Sequence, residues 1–394
     1  MKFFRGAGKM HAWANEPALG ASYTQEEIDT VIEVLQESVD PHVGFRAKKH
    51  EIAFEDAFSA YCGARFAVAY NGAGTALDMV LRYLNLQPGD EVISGALNFV
   101  GTHLSVIGQG GELVLCETDP NTLNLDPKDV ESRITDRTRA ILITHMNGLP
   151  ADMDALEEIA SRNPSPVHGP AKLIVDAARA CGADDGAGPV GARGWATVFS
   201  FQSKKLMTTL GEGGMVTTQD VELTADLRRL RSFGKNQHWG SNYKMTKLQA
   251  AVGLVQLRRL DSMNDARIRL AHRRSDLLRA LPELTLPPES SGRQHVYYRY
   301  NLLVPEEWAG QRRDQVRERL ADGHGIGSVV ADPPTYLTHP GIREHAGRPS
   351  LPVSEATAAR LFCPPLHPSM SDSDNESICT AIIDVMQSVA DDNN

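Results

Sequence analysis

The stretch FSFQSKKLMTTLGEGG, residues 199–214, sets two adjacent lysines, Lys204 and Lys205, between an apolar run and a glycine-rich turn. A lysine amine past the end of a strand is either a solvated charge or a nucleophile toward a carbonyl. Two other stretches bear on the choice. In LIVDAARACGA, Asp176 follows three apolar residues, where it can cap the next helix or face a cation in a crevice. In AYNGAGTAL, small residues join a strand to a helix, a shape that suits phosphate on backbone amides and also suits a plain tight turn.

Taken together, the amine, the acid and the helix start describe a site for pyridoxal 5'-phosphate. A lysine forms a Schiff base with an aldehyde cofactor, a carboxylate keeps its ring nitrogen protonated, and the helix start takes the phosphate. Other chemistries lack their residues. There is no Gly-x-Gly-x-x-Gly after the first strand, no Walker-type loop, no His-Glu-x-x-His and no Gly-x-Ser-x-Gly elbow, so no metal site is expected.

These residues need a scaffold that brings strand ends together. Short apolar runs alternate with helical patterns from Ala64 to Phe201: ARFAVAY, EVIS, ELVLC, AILIT, KLIVD and ATVFSF read as strands. Helices are expected over Tyr23–Glu37, Ala47–Tyr61, 74–86, Asn98–Ile107, 130–134 and Asp152–Ala160. In the first of these, Thr24 is the cap and Ile28, Val31, Ile32 and Leu35 form the apolar face. This order predicts a covered, mostly parallel sheet whose ligands gather beyond the strand C-termini. A helix over Tyr243–Arg259 continues past Asp261 into a second over Ala266–Leu281. Then come a loop at residues 287–292, a strand VYYRYNLLV, a helix RRDQVRERLA and a closing helix over Ser377–Val389. The division expected is 1–265 for a large domain and 266–394 for a smaller α+β domain.

Composition narrows the class. The chain has 394 residues, 41% hydrophobic and 23% charged, as a folded globular protein does. A net charge of -10 argues against a general nucleic-acid surface, while leaving room for one local phosphate site. Five cysteines without CxxC spacing fit a reducing compartment. No run reaches the ~18 apolar residues of a membrane span, and the N-terminus has no signal-peptide core, so a cytoplasmic location is expected.

In order along the chain, PGDEVI, ETDPNTLNLDP, THMNGLPADMDAL, DAARACGA, FSFQSKKLMTTLGEGGMVTT, SNYKMTKLQAAVGLVQL and CPPLHPSMS resemble the DegT/DnrJ/EryC1/StrS family of sugar and aminocyclitol aminotransferases. The resemblance runs from about Ala21 to the last helix. It implies the fold type I, aspartate-aminotransferase-like fold of pyridoxal phosphate-dependent transferases. It also implies a homodimer with shared active sites and an amino transfer from L-glutamate or L-glutamine to a keto-sugar, keto-cyclitol or other secondary-metabolite ketone. The family's lysine lies five residues after the serine of a Ser-Phe pair, which selects Lys205 and leaves Lys204 without a role. By the same matching, Asp176 meets the pyridine nitrogen and Ser200 the phosphate. Gly72, Ala73, Gly74 and Thr75 form the first phosphate segment. Phe99 stacks on the ring, and Asn242 reaches the neighbouring subunit's cofactor.

Departures from the family pattern concern the substrate. Gly95 and Leu97 stand where a proline and an aromatic are usual. Lys244 replaces an arginine, and Arg179 replaces a glutamine or histidine. A guanidinium there suits a substrate carboxylate, or else points away from the site. The stretch FSFQ…KLMT leans toward the cyclitol and aminohydroxybenzoate branches. A lyase or aromatising enzyme is the alternative activity, and a homologue that binds the cofactor without turnover is a further one. A sugar dehydratase would carry histidine at the position of Lys205.

Overall fold

A computed structural model describes residue 13 and residues 16–289, 292–347 and 349–392. Most of the N-terminal stretch read for a signal, and Ser290-Ser291 of the expected loop, lie outside the described residues. The large domain opens with helices α1 (Gln25–Ser38) and α2 (Lys48–Cys62). There follow β1 (Phe66–Tyr70), α3 (Ala73–Leu84), β2 (Glu91–Gly95), α4 (Val100–Gly108), β3 (Glu112–Cys116), α5 (Pro127–Arg133), β4 (Thr138–Thr144), α6 (Met153–Arg162), β5 (Lys172–Asp176) and β6 (Ala196–Ser200). Strand β7 (Gly214–Thr218) and helix α7 (Val221–Leu230), neither foreseen in the sequence, complete the layer.

The seven strands lie in the order β1-β7-β6-β5-β4-β2-β3. Pairing is parallel from β3 across to β6, and β7 runs antiparallel between β6 and β1. Each strand is buried on both faces, which is why the strands read as unbroken apolar runs. Successive residues serve opposite cores. Phe199 packs with Phe54 and Phe58 of α2, while Val198 packs with the α3 and α7 side. Thr144, Asp176 and Ser200 end parallel strands at one edge of the sheet, and Tyr70 and Gly214 meet in register at that edge.

Thr24 caps α1 in a capping box with Glu27. The face expected to be buried is not. Ile28, Ile32 and Leu35 are exposed, and α1 instead turns Glu27, Val34 and Ser38 inward. Glu27 is buried because Gln256 and Arg259, both on the facing helix, bond to it.

That facing helix, α8 (Lys247–Leu278), is one uninterrupted rod where two helices were expected. Its Leu257 and Leu260 belong to the sheet core, and its Leu270 and Leu278 belong to a second core. The second core is built with β8 (Leu302–Leu303), α9 (Gln311–His324), β9 (Leu361–Phe362) and the closing helix, after the short helices α10 (Thr335–Thr338), α11 (Pro340–Ala346) and α12 (Pro352–Arg360). We place the domain division where the core changes along α8, on either side of residue 265. The closing helix is α13 (Asp372–Asp391).

The expected strand VYYRYNLLV shrinks to the two residues of β8. Tyr297 adopts φ 47°, which breaks an extended run. Val296 and Arg299 donate instead to the carbonyls of Gly148 and Asn147, at 3.0 and 3.3 Å, and Tyr298 and Arg299 line the sheet-edge cavity. All five cysteines are free and buried. No described helix is long and apolar enough to cross a membrane.

Candidate active site

A cavity of about 620 Å³ lies at this strand-end edge. Nine of the ten residues singled out in the sequence line it: Gly72, Ala73, Gly74 and Thr75 from the start of α3, Phe99, Asp176, Arg179, Ser200 and Lys205. Asn242 does not. It is exposed on the segment before α8, and the carbonyl of the next residue, Tyr243, accepts from the Asn71 amide at 2.9 Å.

Asp176 closes β5 and is buried. One carboxylate oxygen accepts from the Thr102 hydroxyl at 2.7 Å, and the other from the Ala178 amide at 3.0 Å. The acid is thus oriented by neutral donors and keeps its charge available to the cavity. Lys205 Nζ lies 4.9 Å from the centre of the Tyr298 ring. Among the described residues it makes no ion pair or hydrogen bond, so no partner has to be displaced before it reacts.

At the start of α3, Gly72 is extended and has no side chain to cap the helix, so the leading amides stay open toward the cavity. Thr75 donates to Asn71 Oδ1 and the Gly72 carbonyl, both at 2.8 Å, which tightens the turn. The GEGG turn explains itself by crowding. A Cβ on Gly214 would sit 2.6 Å from the Gly72 carbonyl carbon, so β7 begins in backbone contact with the phosphate segment. Phe99, at the N-cap of α4, is 58% exposed, and a Cβ on Gly101 would sit 2.8 Å from its ring. Glycine there leaves the ring free to face the cavity.

Arg179 is committed rather than free. It is buried in an ion pair with Asp332, a residue the sequence reading missed. Asp332 also accepts from Arg299 Nη1 at 3.0 Å. Burial would raise its pKa, but Arg179, Arg299 and Lys205 outweigh that and hold it at about 2. Tyr298, likewise missed, is pushed up by burial, yet the charges of Lys205, Arg299 and Arg179 leave its phenol below its ordinary pKa. Lys204, given no role in the sequence, pairs with Glu16 at 2.7 Å. Glu16, Tyr298, Arg299 and Asp332 come from regions far from the strand ends, and only the folded chain brings them in. No cluster of potential metal ligands occurs among the described residues.

The donor set fits pyridoxal phosphate: open amides for a phosphate, an oriented acid for a ring nitrogen, and an unpaired amine. Such a constellation at the carboxyl edge of this sheet suits an enzyme of the pyridoxal phosphate-dependent kind. The model of the DegT/DnrJ/EryC1/StrS aminotransferase family matches residues 22–383, and the chain belongs to that family. It is 34% identical over 383 residues to the spore coat polysaccharide biosynthesis protein SpsC of Bacillus subtilis, covering 92% of this chain and 95% of that one. It is 35% identical over 368 residues to the GDP-perosamine synthase of Caulobacter vibrioides, covering 91% and 95%. The structure of S. venezuelae DesV, solved in complex with a ketimine intermediate, superposes with a TM-score of 0.83 at 32% identity, covering 91% of this chain and 94% of that one.

Proposed function

We propose that this enzyme moves an amino group from L-glutamate or L-glutamine to a keto-sugar, with Lys205 and Asp176 as its catalytic residues. The observation that carries the reading is the convergence of Lys205, Asp176 and the start of α3 on one cavity. The sequence leaned toward a cyclitol acceptor. Similarity to a GDP-perosamine synthase favours a nucleotide-linked keto-sugar instead.

Pyridoxal phosphate, when bound, supplies the carbonyl that captures the donor's amine and the electron sink that acidifies its α-carbon. The chain does the rest. Gly72 to Thr75 and Ser200 would hold the phosphate, Phe99 would pack on the ring face, and Asp176 would keep a proton on the ring nitrogen. Lys205 Nζ removes the proton from the donor α-carbon and returns one when the acceptor is aminated. We further propose a homodimer in which Asn242 completes the neighbouring site. The exposed stripe of Ile28, Ile32 and Leu35 on α1 supports a partner surface.

The test is a split reaction. Glutamate or glutamine should bleach the visible band of the lysine-bound cofactor, and a nucleotide-linked keto-sugar should restore it. A donor that leaves the band unchanged overturns transamination. Restoration only by cyclitol ketones overturns the sugar assignment.

A further inference from the structure

Three cations crowd one side of the cavity: Arg179, Arg299 and Lys204. Asp332 is shared by the two guanidiniums and offsets one charge. The second anion is Glu16. Its Oε1 accepts from Arg299 Nη2 at 2.7 Å, and its Oε2 accepts from Lys204 Nζ at 2.7 Å. A single carboxylate therefore bridges a guanidinium and an ammonium inside the reaction cavity, each oxygen with its own charged donor.

The cavity's other acids do not serve these cations. Asp176 is held by Thr102 and Ala178, and Glu212 is exposed. Arg179 is buried and already paired through Nη1 with Asp332. Arg299 and Lys204 are different. Their shared anion sits on an irregular segment before α1, fastened to the body at Gly20, whose amide donates to the Ser203 carbonyl at 2.8 Å. Both cations lie close to the reacting amine. Lys204 is its chain neighbour, and Arg299 flanks the same Tyr298 ring that Lys205 touches, at 5.5 and 4.9 Å.

We propose that Lys204 and Arg299 form the carboxylate-binding subsite for the amino donor, and that Glu16 fills it until the donor's carboxylate takes its place. This deepens the aminotransferase reading and rests on it. It also gives Lys204 a function separate from that of Lys205. Exchange of one carboxylate for another keeps the cation cluster neutralised throughout, so the donor meets no step that leaves three buried or half-buried positive charges with one anion. Glu16 is held ionised for this exchange. Burial opposes its charge, but the bonds to Lys204 and Arg299 prevail and lower its pKa.

The experiment uses the cofactor-loaded enzyme and glutarate, a dicarboxylate with no amine, as the probe in calorimetry. Glu16→Gln removes the internal competitor and should tighten glutarate about fivefold to tenfold. Lys204→Met should weaken it by a similar factor, and Lys204→Arg should restore it. Steady-state donor KM should move the same way, while the KM for the ketone stays. An effect on glutamate and glutamine alike assigns the α-carboxylate, and an effect on glutamate alone assigns the side-chain carboxylate. Unchanged glutarate affinity in both Glu16→Gln and Lys204→Met overturns the subsite. Because glutarate binding needs no turnover, that result stands apart from a failure of the donor to bleach the wild-type enzyme, which overturns the aminotransferase reading.

Discussion

The Thr102 hydroxyl donates to Oδ2 of Asp176 across 2.7 Å, tying the first turn of α4 to the end of β5. The bond uses a neutral donor, so it aims the acid without spending its charge. Replacing Asp176 by Asn keeps the shape and removes the charge proposed to hold a proton on the cofactor ring. Turnover should fall by about 100-fold or more. Thr102→Val leaves one carboxylate oxygen short of a donor, at about 1–3 kcal/mol. It should weaken cofactor retention in equilibrium dialysis, with Thr102→Ser restoring it. Equal retention in Thr102→Val and wild type counts against an orienting role.

The two lysines part cleanly in their surroundings: Lys204 is paired with Glu16, while Lys205 Nζ makes no ion pair or hydrogen bond among the described residues and lies 4.9 Å from the centre of the Tyr298 ring. Borohydride reduction of the loaded enzyme, followed by peptide mass analysis, should place the cofactor on Lys205. Lys205→Ala should lose both the label and the visible band. Lys204→Ala should keep the label. Label on Lys204 would put the register of the site off by one residue.

Asp332 carries a pH signature. Its pKa falls from an ordinary 3.8 to about 2 in the folded chain, because Arg179, Arg299 and Lys205 overcome the effect of burial. A lowered folded-state value means that its ionised form adds stability above about pH 4, and that this contribution fades as pH falls toward 2. Asp332→Asn leaves Arg179 without an anion and Arg299 with Glu16 alone, and should cost about 3 kcal/mol near neutral pH. In urea titrations the gap between variant and wild type should narrow from pH 5 to pH 3. A gap that stays constant or widens would show that the carboxylate is not the source of the stability.

The parts of this architecture that were legible in the sequence are those governed by local rules. Buried strands announce themselves as apolar runs, and Thr24 announces a helix start. The failures share a cause, which is that a distant contact overrode the local pattern. The apolar stripe of α1 faces outward because Gln256 and Arg259 draw Glu27 in. VYYRYNLLV reads as a strand, but Tyr297 turns left-handed and the segment ties itself to Asn147 and Gly148. Arg179 reads as a free guanidinium because Asp332, 153 residues on, cannot be seen beside it. Strand β7 hid behind Gly214, where its backbone closely approaches that of Gly72 and Ala73.

That close approach is itself testable. An alanine methyl at position 214 would sit 2.6 Å from the Gly72 carbonyl carbon and 2.7 Å from the Ala73 nitrogen, so Gly214→Ala must displace the start of α3. In the proposed site those amides hold the phosphate. Cofactor dissociation should become at least about tenfold easier, a loss of about 1.4 kcal/mol. Gly108→Ala, where a methyl meets nothing within 4 Å, is the control and should change retention little. Loss of cofactor in both variants would point to general instability rather than to the α3 start.

The proposed sharing of sites between subunits makes the sharpest demand. Asn242 lies outside its own cavity, whereas Lys205 lies inside. In a homodimer that shares sites, a Lys205→Ala subunit still lends its Asn242, and an Asn242→Ala subunit still carries Lys205. Either variant alone should be impaired at every site. Unfolded together and reassembled, half of the dimers become hybrids, and each hybrid holds one site with both residues intact. Activity should recover to about a quarter of the native sites. Ile32→Glu on the exposed stripe of α1 should shift the protein toward monomer in light scattering and lower cofactor retention with it. Mixing that yields only the average of the two impaired variants would mean that each subunit builds its site alone.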